Sequence, residues 1–219
     1  MHNINLNIEN LKLWKNNEIQ KGSVILNDFF LFIQIPKTSS TNVLELCKKK
    51  GLTKIMDCYR HEGLMYLENF IDSNLPVFTV VRNPYTQIFS YFFHRIYNKE
   101  IKLNNEITIK ENFKNFVFKE IDNIHIRQYD YINSQKNINV NIIKFEDNNI
   151  IEILNNKFNL NLDLDSSIKF NVNIDKNYLE SKNKIKDFYD DELVNLIKRK
   201  RKNEFEVFRY SLDINDILL

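Results

Sequence analysis

The side chains best suited to chemistry come directly after a short apolar run, FFLFIQI, at Phe29 to Ile35. Pro36 and Lys37 follow this run, and four hydroxyl-bearing side chains follow the lysine. An ammonium group, hydroxyls and the N–H groups of a beginning helix all stabilise a bound anion. The sequence therefore predicts an anion-binding loop, whose expected contacts are Pro36, Lys37, Thr38, Ser39, Ser40, Thr41 and Asn42.

The loop has the residue types and the position of a phosphate-binding loop, but it does not match a Walker A motif. The motif GxxxxGK[ST] carries glycines before its lysine, whereas here the lysine comes first and the glycines are absent. The surrounding pattern predicts a buried strand over 29–35, a sharp loop over 36–41 and a helix beginning near Asn42. The hydroxyl side chains at the end of the loop are all residue types that cap helices.

A second set of candidate residues follows another apolar run. Leu75 to Val81 reads LPVFTVV, which predicts a strand buried on both faces, and it ends at Arg82. A guanidinium group can bind a phosphate through two parallel hydrogen bonds. Ser90 lies eight positions after Arg82 (90 − 82 = 8), about two turns along a helix predicted from Tyr85 to Tyr97. We therefore expect Arg82 and Ser90 to face the same anion.

Two strand–loop–helix segments in succession predict an α/β fold with a central parallel β-sheet flanked by helices. Val140 to Phe145 is the candidate for a third strand. Ligands of such sheets bind beyond the carboxyl ends of the strands, where Lys37 and Arg82 are both expected. Further helices are predicted over 113–118, 125–132, 150–158 and 190–208, and residues 99–112 are predicted as a loop.

Composition places the chain among soluble globular proteins. It has 219 residues, a net charge of +2 and 43% hydrophobic residues, so its overall charge does not require nucleic acid as a partner. No apolar run approaches the roughly 18 residues of a membrane span, and the N-terminus lacks a signal-peptide pattern. Four histidines and two cysteines show no metal-ligand spacing. We expect one domain over 1–219, with 1–27 as a lead segment, in the cytoplasm, or in the Golgi lumen if the chain is part of a longer protein; the oligomeric state is open.

Five segments together resemble the carbohydrate sulfotransferases. IQIPKTSSTNV resembles the 5′-phosphosulfate loop of that family, and FTVVRNPYTQIFSYFF resembles its 3′-phosphate element. RHEGLMYLENF lies where the family often carries a histidine between these two motifs. HIRQYDYINSQKNINVNIIKFED resembles its Gln-x-x-Tyr segment with the strand that follows, and YDDELVNLIKRKRKNEFEVFRYSL resembles its closing helix. The likeness spans about Phe29 to Leu212 in the same order.

The resemblance implies a three-layer, P-loop-like core that binds 3′-phosphoadenosine 5′-phosphosulfate (PAPS). The sulfuryl group would be transferred to a hydroxyl of a carbohydrate acceptor without a metal ion. Lys37 would stabilise the bridging and leaving oxygens, Thr38 to Thr41 would hold the 5′-phosphate, and Arg82 with Ser90 would bind the 3′-phosphate. His61 is the candidate general base, because an ordinary imidazole pKa of about 6.5 leaves a neutral fraction at cellular pH.

Four positions depart from the usual pattern of that family. Ser39 and Ser40 stand where its loop has glycines, Gln87 stands where its second motif often has an arginine, and Arg209 stands where a glycine is common. Two alternative functions therefore stay open, a P-loop-type small-molecule kinase and a catalytically weakened nucleotide-binding module of the same fold. Glu146, which follows the third predicted strand, is an alternative base or an internal hydrogen-bond acceptor.

Overall fold

The computed structural model describes most of the chain after residue 24. The described residues are 25–26, 30–51, 54–55, 61–69, 71, 74–123, 126–147, 149–159, 161–162, 181 and 184–217. Most of the predicted lead segment therefore lies outside the described residues, as does residue 125 of the helix predicted over 125–132, which begins at Gln128.

The described strands form one five-stranded sheet. They are β1 (Ile25–Leu26), β2 (Leu31–Ile33), β3 (Lys54–Ile55), β4 (Val77–Val81) and β5 (Val140–Lys144), in the order β3-β1-β2-β4-β5. Strands β2, β4 and β5 are parallel, whereas β1 is antiparallel to both β2 and β3. The prediction of a parallel sheet is confirmed for these three strands, and the end of the predicted lead segment supplies β1.

Eight helices lie in the described part of the chain. They are α1 (Ser40–Lys49), α2 (Leu64–Leu67), α3 (Pro84–Tyr97), α4 (Ile109–Glu120), α5 (Gln128–Ile132), α6 (Ile150–Phe158), α7 (Asp191–Lys200) and α8 (Lys202–Phe208). Three short 3-10 turns cover Phe145–Asp147, Ile185–Phe188 and Ile214–Asp216. The α/β class and the helices flanking the sheet agree with the prediction from the sequence.

The chain divides into two compact units. The first comprises residues 1–81 and 128–170 and contains the whole sheet, while the second comprises 82–127 and 171–219 and contains helices α3, α4, α7 and α8. The predicted anion-binding loop after β2 therefore belongs to the first unit, and Arg82 begins the second. The single domain expected over 1–219 stays a prediction.

The first unit has its core on the parallel strands. Every residue of β2 and β4 is buried, as expected for strands covered on both faces. The parallel register places Phe32 beside Phe78, and their rings stack with centroids 4.7 Å apart. Helices α1 and α6 pack on this face through Val43, Leu44, Leu46, Cys47 and Leu154. This packing fixes the position at which the β2–α1 loop begins and ends.

The second unit has a core that is rich in aromatic side chains. Phe89 of α3 contacts Phe113 of α4 at 5.8 Å and Phe188 at 5.1 Å between ring centroids, both edge to face. Edge-to-face contacts of this kind add to the burial of large apolar side chains. Tyr85, Phe92, Phe93, Phe116, Tyr189 and Phe205 belong to the same cluster. The cluster holds the first turns of α3, which follow Arg82.

Several other helix boundaries also differ from the prediction. Helix α1 begins at Ser40 instead of near Asn42. Helix α4 begins at Ile109, inside the segment predicted as loop, because Thr108 and Glu111 form a reciprocal capping box at its start. The helix predicted over 190–208 is two helices, separated at Arg201, whose guanidinium pairs with Glu204 at 3.0 Å while both side chains are buried.

Candidate functional site

The backbone of the β2–α1 loop has an alternating conformation. Lys37 and Ser39 have φ angles of 63° and 72°, in the left-handed region, whereas Thr38 between them and Ser40 after them do not have positive φ. Where left- and right-handed residues alternate, successive backbone N–H groups point towards one concave surface and form an anion-binding nest, and the alternating sign of φ from Lys37 to Ser40 matches such a turn. The N-terminus of the ten-residue helix α1 follows directly. The loop therefore combines two backbone features that favour a bound phosphate or sulfate.

Hydrogen bonds within the loop hold this conformation. The hydroxyl of Thr38, which is fully buried, donates to the carbonyl of Ile35 at 2.9 Å. The carbonyl of Ser39 accepts from the N–H groups of Asn42 (3.0 Å) and Val43 (3.4 Å), so Ser39 occupies the N-cap position of α1. The side-chain amide of Asn42 also donates to the Ser39 hydroxyl. The hydroxyl of Thr38 is thus engaged inside the loop, and its contribution to an anion site comes from the backbone.

The remaining predicted loop contacts differ in exposure. Pro36 and Ser40 are buried, while Lys37, Thr41 and Asn42 are partly exposed. Partial exposure suits Lys37, because its ammonium group has to reach both solvent and ligand. The loop as a whole therefore places the partly exposed Lys37 side chain beside a hydrogen-bonded backbone.

His61 is attached to the strand end from which the loop starts. Its Nδ1 atom lies 2.8 Å from the carbonyl oxygen of Gln34, three residues before Lys37. A carbonyl oxygen only accepts, so Nδ1 carries the hydrogen and the lone pair of the neutral ring lies on Nε2. The structure thus brings the predicted base to the same sheet end as the predicted lysine loop, within the first unit.

Arg82 is held by the first turn of α3. Its Nε atom donates to the hydroxyl of Thr86 at 3.0 Å, and that hydroxyl donates to the carbonyl of Asn83 at 3.1 Å. Asn83 is the N-cap of α3, because its side-chain oxygen accepts from the N–H of Tyr85 at 3.0 Å. The sequence prediction missed Asn83 and Thr86 as positioning residues, although an asparagine before a proline is a readable helix-start signal.

The other predicted residues of α3 are buried. Ser90 is 9% exposed and lies on the helix that follows Arg82. Gln87, which stands where the resembled family often has an arginine, is fully buried, and burial favours a neutral side chain over a charged one. Arg82 and Ser90 both belong to the second unit, so their joint action with the Lys37 loop stays a prediction.

Two buried tyrosines add no charge to the surroundings of Arg82. Burial raises the pKa of Tyr189 well above its ordinary value, although the nearby Arg82 acts in the opposite direction. Burial also raises the pKa of Tyr85 to about 12, with a further increase from Asp213. The Tyr189 hydroxyl donates to the carbonyl of Tyr85 at 2.6 Å. Both phenols therefore remain neutral at cellular pH and leave the positive charge of Arg82 uncompensated by them.

Glu146, the alternative base, lies partly exposed in the 3-10 turn after β5. Among the described residues, no group of three or more histidine, cysteine, aspartate or glutamate side chains is placed to hold a metal ion. Within that same part of the chain, no helix has the length and apolar character needed to cross a membrane.

Comparison with known proteins found no matching family model, no matching curated protein and no matching solved structure. Any proposal about its function therefore rests on the residues and geometry of the chain itself.

Proposed function

We propose that this chain is a PAPS-dependent sulfotransferase that acts on a hydroxyl group of a carbohydrate. The observation that carries the proposal is the β2–α1 loop, in which a lysine begins an alternating backbone nest at a helix N-terminus. His61 is the proposed general base. Its hydrogen bond to the strand end beside that loop gives the proposal further support. The proposal includes a three-layer, P-loop-like arrangement around the central parallel sheet.

The proposed reaction is an in-line displacement at sulfur. The acceptor oxygen forms a bond to sulfur while the bond between sulfur and the oxygen bridging it to phosphorus breaks, which leaves 3′-phosphoadenosine 5′-phosphate. Negative charge develops on the leaving oxygen, and the ammonium group of Lys37 stabilises it, as in the related chemistry of phosphoryl transfer. Nε2 of His61 accepts the proton of the acceptor hydroxyl. The N–H groups of the loop bind the 5′-phosphate.

Arg82 and Ser90 have the second role in this proposal, binding of the 3′-phosphate. The contact of the Arg82 Nε atom with Thr86 fixes the plane of the guanidinium group. A fixed guanidinium plane suits bidentate binding of a phosphate, which gives both affinity and orientation. The 3′-phosphate distinguishes PAPS from ATP, so the contact of Arg82 with this phosphate is also the proposed basis of nucleotide specificity.

The experiment that tests the proposal measures transfer of labelled sulfate from PAPS to a panel of carbohydrates, together with binding of 3′-phosphoadenosine 5′-phosphate. Lys37→Ala is expected to remove most of the transfer while part of the nucleotide binding remains. Lys49→Ala, which changes an exposed lysine in the last turn of α1, is the matched control and is expected to transfer normally. Absence of both transfer and nucleotide binding in the unsubstituted chain would contradict the proposal.

One observation favours the nucleotide-binding module as a second candidate. The left-handed conformations at Lys37 and Ser39 are carried by residues other than glycine, which makes the nest more costly to form. Binding of 3′-phosphoadenosine 5′-phosphate without turnover on a broad carbohydrate panel would identify such a module. A thermal-denaturation measurement tests the kinase alternative, because stabilisation by ATP and magnesium, but not by the 3′-phosphorylated nucleotide, would select it.

A further inference from the structure

The segment that contains His61 is fastened to the first unit at both ends. At its start, Nδ1 of His61 donates to the carbonyl of Gln34 at 2.8 Å. At its end, Glu68 accepts hydrogen bonds from the Ser134 hydroxyl and from the N–H groups of Gln135 (3.1 Å) and Lys136 (3.3 Å). Glu68 is 2% exposed, so these three donors replace water around its carboxylate. A carboxylate with this many donors holds the segment rigidly.

Between the two ends, the segment packs closely on its surroundings. Leu64 and Leu67 of α2 are fully buried. Gly63 lies beside α5, since an added Cβ would be in ordinary van der Waals contact with the carbonyl oxygen of Asp130 at 3.5 Å and the Cα atom of Tyr131 at 3.7 Å. These contacts fix the backbone on the C-terminal side of His61. The position of the imidazole is therefore set by packing as well as by its own hydrogen bond.

We infer that the carbonyl of Gln34 is a positioning group for His61, which fixes the Nδ1–H tautomer, directs Nε2 to the acceptor hydroxyl and ties the ring to the anion-binding loop. This inference rests on the proposed function and adds to it the proton-accepting atom. When Nε2 accepts a proton, the ring becomes positively charged and its hydrogen bond to Gln34 becomes charge-assisted, which stabilises the imidazolium. The same bond anchors the loop, because Gln34 lies three residues before Lys37.

The first arm of the test is independent of any substrate. The ¹⁵N chemical shifts of the two His61 ring nitrogens are measured in the full chain at a pH where the imidazole is neutral, with assignment by the His61→Asn variant. The expected result is a protonated Nδ1 and an unprotonated Nε2. An Nε2–H tautomer would overturn the inference, since Nδ1 would then have no hydrogen to donate to Gln34.

The second arm separates the two roles of the ring. Asparagine places an amide nitrogen as many bonds from Cα as Nδ1, so His61→Asn keeps the donor to Gln34 and removes the base. His61→Ala removes both. Both variants are expected to lose transfer, but only His61→Ala should weaken binding of 3′-phosphoadenosine 5′-phosphate, by about 2- to 10-fold for one lost hydrogen bond. Equal weakening in the two variants would contradict the anchoring role.

His61→Gln is the matched control, because its amide nitrogen lies at the distance of Nε2 instead of Nδ1. It is expected to bind the nucleotide as His61→Ala does. If the unsubstituted chain binds no 3′-phosphoadenosine 5′-phosphate, the proposed function fails, and the tautomer measurement alone then decides the positioning role of Gln34. If His61 is found as the Nε2–H tautomer while nucleotide binding is intact, this inference is overturned and the proposed function is unaffected.

Discussion

The left-handed backbone at Lys37 and Ser39 shapes the candidate site and also has a conformational cost. A residue with a Cβ atom is less stable in this region by roughly 1–2 kcal/mol, because the Cβ approaches the neighbouring carbonyl oxygen. The family that the sequence resembles usually has glycines at the positions of both Ser39 and Ser40. The structure separates them, since Ser39 has a φ of 72° and Ser40 begins the helix. Of these two serines, Ser39 is therefore the one with a conformational reason to be glycine.

The different conformations of Ser39 and Ser40 lead to a prediction about stability. Relative to alanine, glycine is expected to stabilise the fold at position 39 and to destabilise it at position 40. Ser39→Gly is expected to be more stable than Ser39→Ala by about 1 kcal/mol, because both lose the contact with Asn42 and only glycine relieves the left-handed strain. Ser40→Gly is expected to be less stable than Ser40→Ala by about 0.5 kcal/mol, because glycine loses more backbone entropy even in the first turn of a helix. Urea denaturation of the four variants measures both differences. The same sign at both positions would contradict the loop conformation.

The sequence predicted where the candidate site residues lie along the strands, whereas their roles stay predictions. Lys37 follows β2 and Arg82 follows β4, as the apolar runs predicted. The contacts of Arg82 with Thr86 and of His61 with Gln34 were not predictable. Both depend on side-chain rotamers and on where the chain returns in space, and a linear pattern contains neither.

At the level of the elements, the sequence predicted the buried strands better than the helix ends. Strand β4 was recognisable because every residue is apolar or β-branched and all are buried. The start of α4 was missed although the capping pair Thr108 and Glu111 has a readable spacing. The break between α7 and α8 has no comparable signal, because it coincides with the burial of Arg201 beside Glu204. A basic run in a sequence gives no indication that one of its members is buried.

The end of α8 gives a prediction about a single element. Arg209 has a φ of 54° and ends the helix in a Schellman motif. In this motif the N–H of Tyr210 donates to the carbonyl of Phe205 at 3.0 Å, and the N–H of Arg209 donates to the carbonyl of Glu206 at 3.3 Å. Arg209→Gly is expected to exceed Arg209→Ala in free energy of unfolding by about 1 kcal/mol, since both remove the side chain and only glycine relieves the backbone. Chemical denaturation measures the difference. Equal stability would show that the left-handed conformation carries no cost there.

At the scale of the whole molecule, each compact unit contains a carboxylate whose pKa is lowered by its hydrogen bonds. In the first unit, the Ser134 hydroxyl and then the N–H groups of Lys136 and Gln135 lower the pKa of Glu68 below its ordinary value. In the second unit, Lys114 and then the N–H of Leu193 lower the pKa of Asp190, which caps α7. The composition indicated only a nearly neutral chain, because such shifts arise from donors that the fold brings together.

The sign of the resulting pH dependence follows from these lowered values. A carboxylate with a lower pKa in the folded state stabilises the fold fully above its unfolded pKa, about 4.3 for glutamate and 3.9 for aspartate. That stabilisation is lost as the pH falls through the folded-state pKa, because the folded protein must then take up the proton. The free energy of unfolding of the whole chain is therefore expected to decrease on acidification below about pH 4. Glu68 is the informative group, since its carboxylate is buried among three donors.

Substitution of Glu68 tests this linkage in the intact chain. Glu68→Gln keeps the shape of the side chain but does not titrate, so its free energy of unfolding is expected to be lower than that of the unsubstituted chain at pH 7 and to fall less steeply between pH 5 and 3. Ser134→Ala removes the strongest donor to Glu68 and is expected to give an intermediate slope. Urea denaturation at a series of pH values measures the slopes. If Glu68→Gln has the same slope as the unsubstituted chain, the Glu68 carboxylate does not contribute to acid sensitivity, and its role in fastening the His61 segment would then be limited to geometry that a neutral amide also provides.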